Sequence, residues 1–509
     1  MVTKSTRIII IIFCLVKLTL HIIADFHSGF QGDELLHIET GNHLAFGYME
    51  FPPVIGVLAF IQNLFHAQSV FIHHLFPHIA TILVVIYLGK TVFELGGGSI
   101  ATAITLSCLL ISPGFGGSQQ SFQPVVFSQC FWLISFYQLV RFVKYEDRKY
   151  LWYLTVFISL AFLTKYDALF FWVGIAALLF FQRIRKALVA ARYWQCIVVA
   201  LLILLPNIVW QYANSFPALQ MFARLYETQL DKLTFSKVVF GLFLDVNPIT
   251  AIMLIPTLIF IWGGQKTKHY YRPIASSILL SIAFLAYSRG KAYYFFPIVL
   301  TLLPFCGILF EHIILPKRKW LLIPLSVILL LGTVLIPFGL PIYSYAHYMD
   351  RIHKYFPKNV KNGKEVLPMQ EYITKQKWET SMHELHSVYD SLPPNEKTSC
   401  LIWGKHYSQA GAVELMKSTF GLPNAFCYHG SFYSWAPWGR MPQTVIAICY
   451  NDTSDDFFYL FFEEVVPVRK LYSPYSSSEG WVLQTIYICK KPKQDFNKMK
   501  DLFKSRIFE

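Results

Sequence analysis

At 509 residues, 55% hydrophobic and only 15% charged, with a mean hydropathy of +0.44, the chain is too apolar for a soluble protein of its size and reads as a polytopic membrane protein. A formal charge of +14 invites a nucleic-acid reading, but the Lys and Arg excess falls in short loops between apolar runs. No basic stripe interleaved with stacking aromatics occurs, which argues against that class.

Residues 1–7 carry Lys4 and Arg7, and an apolar run follows over 8–24. The run is long and no small-x-small cleavage pattern precedes Asp25, so we read an uncleaved anchor rather than a signal peptide. A loop over 25–69 comes next, and within it the apolar stretch 54–65, too short to span and preceded by Pro52-Pro53, predicts an interfacial helix. Further apolar segments begin near Val70, Ser99, Phe122, Tyr150, Asp167, Trp194, Ser236, Pro273, Tyr293 and Lys319. With the first, these make about eleven transmembrane helices of roughly twenty residues each.

Orientation follows from the basic loops. Lys4 and Arg7, Lys144 to Lys149, Arg183 to Arg192, Lys266 to Arg272 and Lys317 to Lys319 all fall on one side if the helices alternate. By the positive-inside rule that side is the cytoplasm. The N-terminus is then inside, and after an odd number of crossings the segment from 343 onward lies outside. Residues 1–342 thus form the membrane domain and 343–509 an extracytoplasmic domain. In the latter, strand-like runs at 399–403, 425–428, 444–450 and 481–489, with a helix over 408–418 ending at Gly421, predict a small α/β fold. Of nine cysteines, five lie in apolar spans; Cys400, Cys427, Cys449 and Cys489 lie in the C-terminal domain without metal-like spacing, and their pairing is left open.

With this topology the outer ends of the helices collect polar residues. Gln31-Gly32-Asp33-Glu34 is followed by His37, Glu39 and His43; Thr164-Lys165-Tyr166-Asp167 breaks two apolar runs; Asp245-Val246-Asn247-Pro248 interrupts another; and Arg289-Gly290-Lys291-Ala292-Tyr293-Tyr294 precedes the tenth helix. Acidic groups beside a bilayer are costly unless paired or solvated and so mark a binding or reacting centre. Carboxylates and cations at a membrane surface suit transfer of a sugar from a polyprenyl phosphate. The cations neutralise the leaving phosphate, and a carboxylate accepts the proton of the incoming hydroxyl. Lys165, Arg289 and Lys291 are the candidates for the first role and Asp33 for the second. Each has a plainer reading: Asp33-Glu34 as a helix cap, Lys165 as a snorkelling side chain, Tyr293 and Tyr294 as interface anchors. His37 and His43 form no tight ligand motif, so no cofactor is expected and no metal is indicated.

The motifs Gln31-Gly32-Asp33-Glu34-Leu35, 41–48, Pro52-Pro53, Leu163-Thr164-Lys165-Tyr166, Asn247-Pro248 and Gly290-Lys291-Ala292-Tyr293-Tyr294 resemble bacterial membrane glycosyltransferases of the dolichyl-phosphate-mannose-protein mannosyltransferase-like family, of which the lipid A aminoarabinose transferase is a relative. In the C-terminal part, 407–412 and 433–439 also look like the family's external segment. The resemblance implies a GT-C fold and inverting transfer from a polyprenyl-phosphate sugar donor. It makes Asp33 the catalytic residue with Glu34 its motif neighbour, and places Lys165 and Lys291 near the lipid phosphate. Thr164 stands where relatives often have Asn, and 429–432 departs from a related His-Asn run, which leaves the acceptor open.

The expectation is therefore a GT-C glycosyltransferase of the bacterial inner membrane, acting in cell-envelope glycosylation. Its catalytic residue is Asp33, and its substrate-binding residues are Glu34, His43, Lys165, Asn247, Arg289, Lys291, Tyr293 and Tyr294. Its partners are a polyprenyl-phosphate sugar donor, membrane lipids and an extracytoplasmic lipid, glycan or protein acceptor. The alternatives are a lipid or sugar transporter, which calls for charged or helix-breaking residues at the membrane midplane and repeated halves, and a non-catalytic envelope scaffold.

Overall fold

The structure is a computed structural model that describes residues 3–263, 269–355, 360–361, 364–365, 371–439, 442–450, 455–472 and 482–508. Lys266 and Lys268 of the basic loops and Trp481 at the head of an expected strand lie outside these. The chain divides into two compact units, one of residues 1–24, 51–54 and 74–342, the other of residues 25–50, 55–73 and 343–509. The loop after the first helix therefore belongs with the C-terminal part, apart from the short stretch 51–54.

The first unit is helical. Among the described residues six helices are long and apolar enough to cross a membrane: Lys4–His27, Leu75–Leu95, Pro124–Tyr145, Tyr193–Ala213, Ala292–Ile314 and Lys319–Phe338. Two bent pairs, Ala168–Phe180 with Gln182–Ala190 and Phe235–Asp245 with Pro248–Ile261, raise the count to eight if each is one span. All eleven expected segments contain helix, but Ser99–Leu110 has 12 residues, and Arg148–Thr164 and Tyr271–Tyr287 have 17 each. At about 1.5 Å per residue these fall short of a hydrocarbon core of about 30 Å. By length and composition the described residues thus hold six to eight spans, which does not establish the count of eleven.

The bend of 112° between Phe235–Asp245 and Pro248–Ile261 has a local cause. Asn247 adopts φ +73°, a region Asn tolerates better than most residues, and the following proline disfavours helical backbone before it. Its side-chain amide donates to the carbonyls of Ile111 (2.9 Å) and Gly332 (3.3 Å), while its oxygen accepts from the N–H of Ile249 (3.0 Å). The Ile249 bond satisfies a backbone N–H that the break frees from the helical ladder, and the other two tie the break to carbonyls at the C-terminal ends of the helices Ser99–Leu110 and Leu322–Gly332.

The second unit carries a five-stranded sheet in the order Ala425–Phe426, Leu401–Gly404, Thr444–Tyr450, Val482–Pro492, Phe462–Tyr472. The first three strands are parallel and the last two antiparallel. Fully buried Trp403 sits amid Phe426, Tyr428, Phe458, Phe461 and Phe503, an aromatic core on one face of the sheet. The strand Phe462–Tyr472 escaped the sequence reading. It lies at the sheet edge and contains Pro467 and four charged residues, features that edge strands tolerate and that blur the alternation of a strand.

The helix Tyr407–Phe420 ends at Gly421 in the left-handed conformation (φ +60°), as read from the sequence, though it begins and finishes slightly outside the expected bounds. Residues Val54–Asn63 form a ten-residue helix with Val57, Phe60 and Ile61 exposed. All nine cysteines are free thiols, so the four of the C-terminal part are not cross-linked.

Candidate active site

Asp33 opens the short helix Gly32–Glu39, which packs on the helix Tyr407–Phe420. The approach depends on Gly411, where a Cβ would lie 2.8 Å from the carbonyl oxygen of Leu35. This close packing brings Tyr407 to Asp33, and the phenol donates a hydrogen bond of 2.6 Å to Oδ1. Burial raises the Tyr407 pKa well above the usual phenol range, and the negative charge of Asp33 raises it further. The phenol therefore keeps its proton and remains a donor. Among the described residues Oδ2 of Asp33 accepts no hydrogen bond, and the side chain is half-buried.

Glu34 behaves differently. It is 1% exposed, and its Oε2 accepts from the backbone N–H of Gln31 at 2.6 Å, closing a capping box on its own helix. The two neighbouring carboxylates are thus separated by geometry: one caps, the other remains available. Within the same unit Glu50 is a third carboxylate that the sequence reading passed over. It accepts from both the backbone N–H (2.7 Å) and the hydroxyl (2.6 Å) of Ser431. Burial raises its pKa, the Ser431 hydrogen bonds offset part of that, and the charge on Asp33 adds to it. Gly430 is required beside it, because its φ is +56° and a Cβ would lie 1.7 Å from Glu50 Oε1. Glu50 immediately precedes Phe51-Pro52-Pro53, and a lone acid in that apolar stretch was the available signal.

Behind Tyr407 runs a half-buried polar chain. Lys377 Nζ donates to the Tyr450 hydroxyl (3.2 Å), which is 2.6 Å from Ser408 Oγ, itself 2.8 Å from His406 Nδ1. Burial holds the Lys377 pKa down at about 8 and pushes Tyr450 up to about 12. His406 is lowered to about 3 by burial, with the nearby His429 and Lys377 adding to the effect. Of Lys377, Tyr450, Ser408 and His406 only Ser408 falls in a motif read from the sequence, the segment 407–412. His43, half-exposed, stacks on Trp435 with ring centroids 4.4 Å apart and planes 8° from parallel, and its Nε2 lies 3.1 Å from Glu39 Oε1.

The first unit holds the candidate cations Lys165, Arg289 and Lys291. The break between Arg148–Thr164 and Ala168–Ala176 leaves Lys165 in extended backbone. Its ammonium binds Asp167 Oδ2 at 2.7 Å and lies 4.5 Å from the ring centre of Tyr294 and 5.1 Å from that of Tyr293. Lys165, Tyr293 and Tyr294, far apart in sequence, are therefore neighbours. Arg289, at φ +53°, pairs with Asp231 (2.6 Å), and Lys291 hydrogen-bonds Gln229. Asn247 is fully buried and its amide is committed to the backbone bonds described above, so its contacts are those of a structural residue. Among the described residues no cluster of three or more His, Cys, Asp or Glu side chains is arranged to hold a metal ion.

A membrane unit of long and broken helices, joined to a unit in which the loop after the first helix packs on a C-terminal α/β fold, is the GT-C architecture of membrane glycosyltransferases. Residues 51–210 match the family model described as dolichyl-phosphate-mannose-protein mannosyltransferase, in keeping with the motifs read from the sequence. The structure is similar to ArnT from Cupriavidus metallidurans bound to undecaprenyl phosphate, with a TM-score of 0.58 at 13% identity, covering 96% of this chain and 98% of that one. ArnT in the apo state gives the same TM-score and identity over 94% and 97%. The Archaeoglobus fulgidus oligosaccharyltransferase, in complex with Zn and sulfate, gives 0.51 at 12% identity over 98% of this chain and 77% of that one. At such identities the likeness is one of fold. No curated protein sequence matches significantly.

Proposed function

We propose that the protein transfers a sugar from a polyprenyl-phosphate carrier to an extracytoplasmic lipid, glycan or protein acceptor, with inversion at the anomeric carbon. In that step the acceptor oxygen bonds to the anomeric carbon and gives its proton to Asp33. The bond from that carbon to the phosphate oxygen breaks, and its electron pair leaves with the phosphate. Lys165 and Lys291, with Arg289, are the groups proposed to balance the phosphate charge. His43, Tyr293 and Tyr294 are proposed as substrate contacts, whereas the capping role of Glu34 and the buried bonds of Asn247 remove the reason to assign either to substrate.

The observation that carries this reading is the asymmetry of the acidic pair: Asp33 is held by Tyr407 on one oxygen only, while Glu34 is buried in a cap. The undecaprenyl phosphate named for the similar ArnT structure supports the choice of carrier, and the one-sided distribution of the basic loops supports an extracytoplasmic second unit, which requires an odd number of crossings. The bacterial inner membrane is the location that agrees with such a carrier.

The deciding experiment is transfer of a radiolabelled sugar from lipid-linked donor in membranes, comparing the wild type with Asp33→Asn. Loss of transfer at equal expression supports an enzyme with Asp33 at its centre. Unchanged transfer by the variant removes Asp33 from the reaction, and no transfer by the wild type from any polyprenyl-phosphate sugar returns the transporter reading.

A further inference from the structure

Lys165 is more enclosed than Arg289, its side chain only 19% exposed against 48%. An ammonium has three N–H donors. Among the described residues the Asp167 carboxylate is its one oxygen acceptor, and the faces of Tyr293 and Tyr294 occupy two further directions. Asp167 is itself fixed from both sides. Its Oδ2 receives the Lys165 ammonium at 2.7 Å, and its Oδ1 receives the hydroxyl of fully buried Ser128 at 2.8 Å. The carboxylate is 8% exposed, so it is not a surface counter-ion free to swing away.

We propose that Asp167, anchored by Ser128, is a positioning residue that aims the Lys165 ammonium at the phosphate of the lipid-linked donor. This rests on the reading above that Lys165 contacts that phosphate. The neighbouring Asp167 charge offsets the attraction of Lys165 for an anion, so the carboxylate adds nothing to donor affinity. Its contribution is to orientation: a lysine has four rotatable bonds, and misplacing a charge-stabilising donor by about 1 Å costs roughly a hundredfold in rate. The bond that matters is the one breaking between the anomeric carbon and the phosphate oxygen, whose growing charge the aimed N–H meets.

The test measures kcat and KM for lipid-linked donor with the full chain in membranes, for Asp167→Asn, Ser128→Ala, Lys165→Met and the Asp167→Asn/Lys165→Met pair. For Asp167→Asn we expect kcat to fall roughly ten- to a hundredfold with donor KM unchanged or lower. Ser128→Ala, which keeps the carboxylate and frees its rotation, should give a smaller loss of the same kind. In the Lys165→Met background the Asp167→Asn change should have no further effect. A loss that persists in that background, or one confined to the amount of folded protein with kcat per folded enzyme preserved, overturns the proposal. If Lys165→Met alone keeps full activity while Asp33→Asn abolishes it, the phosphate role of Lys165 fails but the transferase reading stands. Should Asp167→Asn not accumulate, Ser128→Ala decides alone: unchanged kcat and KM overturn the proposal.

Discussion

The hydroxyl of Tyr407 and Oδ1 of Asp33 lie 2.6 Å apart across a separation of 374 residues. Because the phenol stays protonated, it holds one carboxylate oxygen, and the other accepts no hydrogen bond among the described residues. Tyr407→Phe keeps the ring and removes that hold. A hydrogen bond to a charged group contributes about 1.5–3 kcal/mol, so the variant should lose roughly tenfold to a hundredfold in kcat. Steady-state transfer with saturating donor checks this, and equal rates for the two proteins would reduce the bond to a packing contact.

Asp33→Asn and Glu34→Gln should separate chemistry from stability. The first removes a base while keeping size, and should abolish turnover with the melting temperature little changed. The second weakens a charged cap and should cost about 0.5–2 kcal/mol of stability. Its turnover per folded molecule should stay near wild type. Thermal melts in detergent beside transfer assays read both, and a reversed pattern would exchange the two roles.

Gly430→Ala should be poorly tolerated. The backbone at φ +56° disfavours a side chain, and the added Cβ would collide with Glu50 Oε1 at 1.7 Å, displacing the carboxylate from Ser431. The backbone term alone is about 1–2 kcal/mol. The expected outcome is a lower melting temperature together with lower activity. Glu50→Gln, which preserves the acceptor oxygen, should retain more of the stability.

His406 should set part of the acid stability of the second unit. Its pKa is lowered from 6.5 to about 3, chiefly by burial, so the folded state favours the neutral ring. That contribution is complete above about pH 6.5 and is lost as pH falls toward about 3. His406 also caps the Tyr407–Phe420 helix, and Asn is a good cap, so His406→Asn removes the titration while keeping the cap. Melting temperatures between pH 7 and pH 4 should fall less steeply in the variant; an unchanged slope assigns the acid sensitivity elsewhere.

Asn247→Ala should destabilise the first unit without altering chemistry. The substitution strips three hydrogen bonds that hold a broken helix, leaving buried carbonyls unpaired at about 1–3 kcal/mol each. Donor KM per folded enzyme should be unchanged. A selective rise in KM at normal stability would return Asn247 to the substrate.

The sequence by itself determined the membrane class, the place of the helical segments, and the motif that holds Asp33, because hydropathy and acidic residues beside a span are local properties. It also located Lys165, Tyr293 and Tyr294 singly. Only the tertiary structure decided which groups meet. Tyr407 and Asp33 are joined by a glycine-dependent helix contact, and Lys165 meets Asp167 and two tyrosines through a helix break. The division of labour between Asp33 and Glu34 is likewise a matter of three dimensions. Two adjacent carboxylates are chemically equivalent in a sequence, and they differ only once the helix turns one toward its own N-terminus and leaves the other beside a partner from far along the chain.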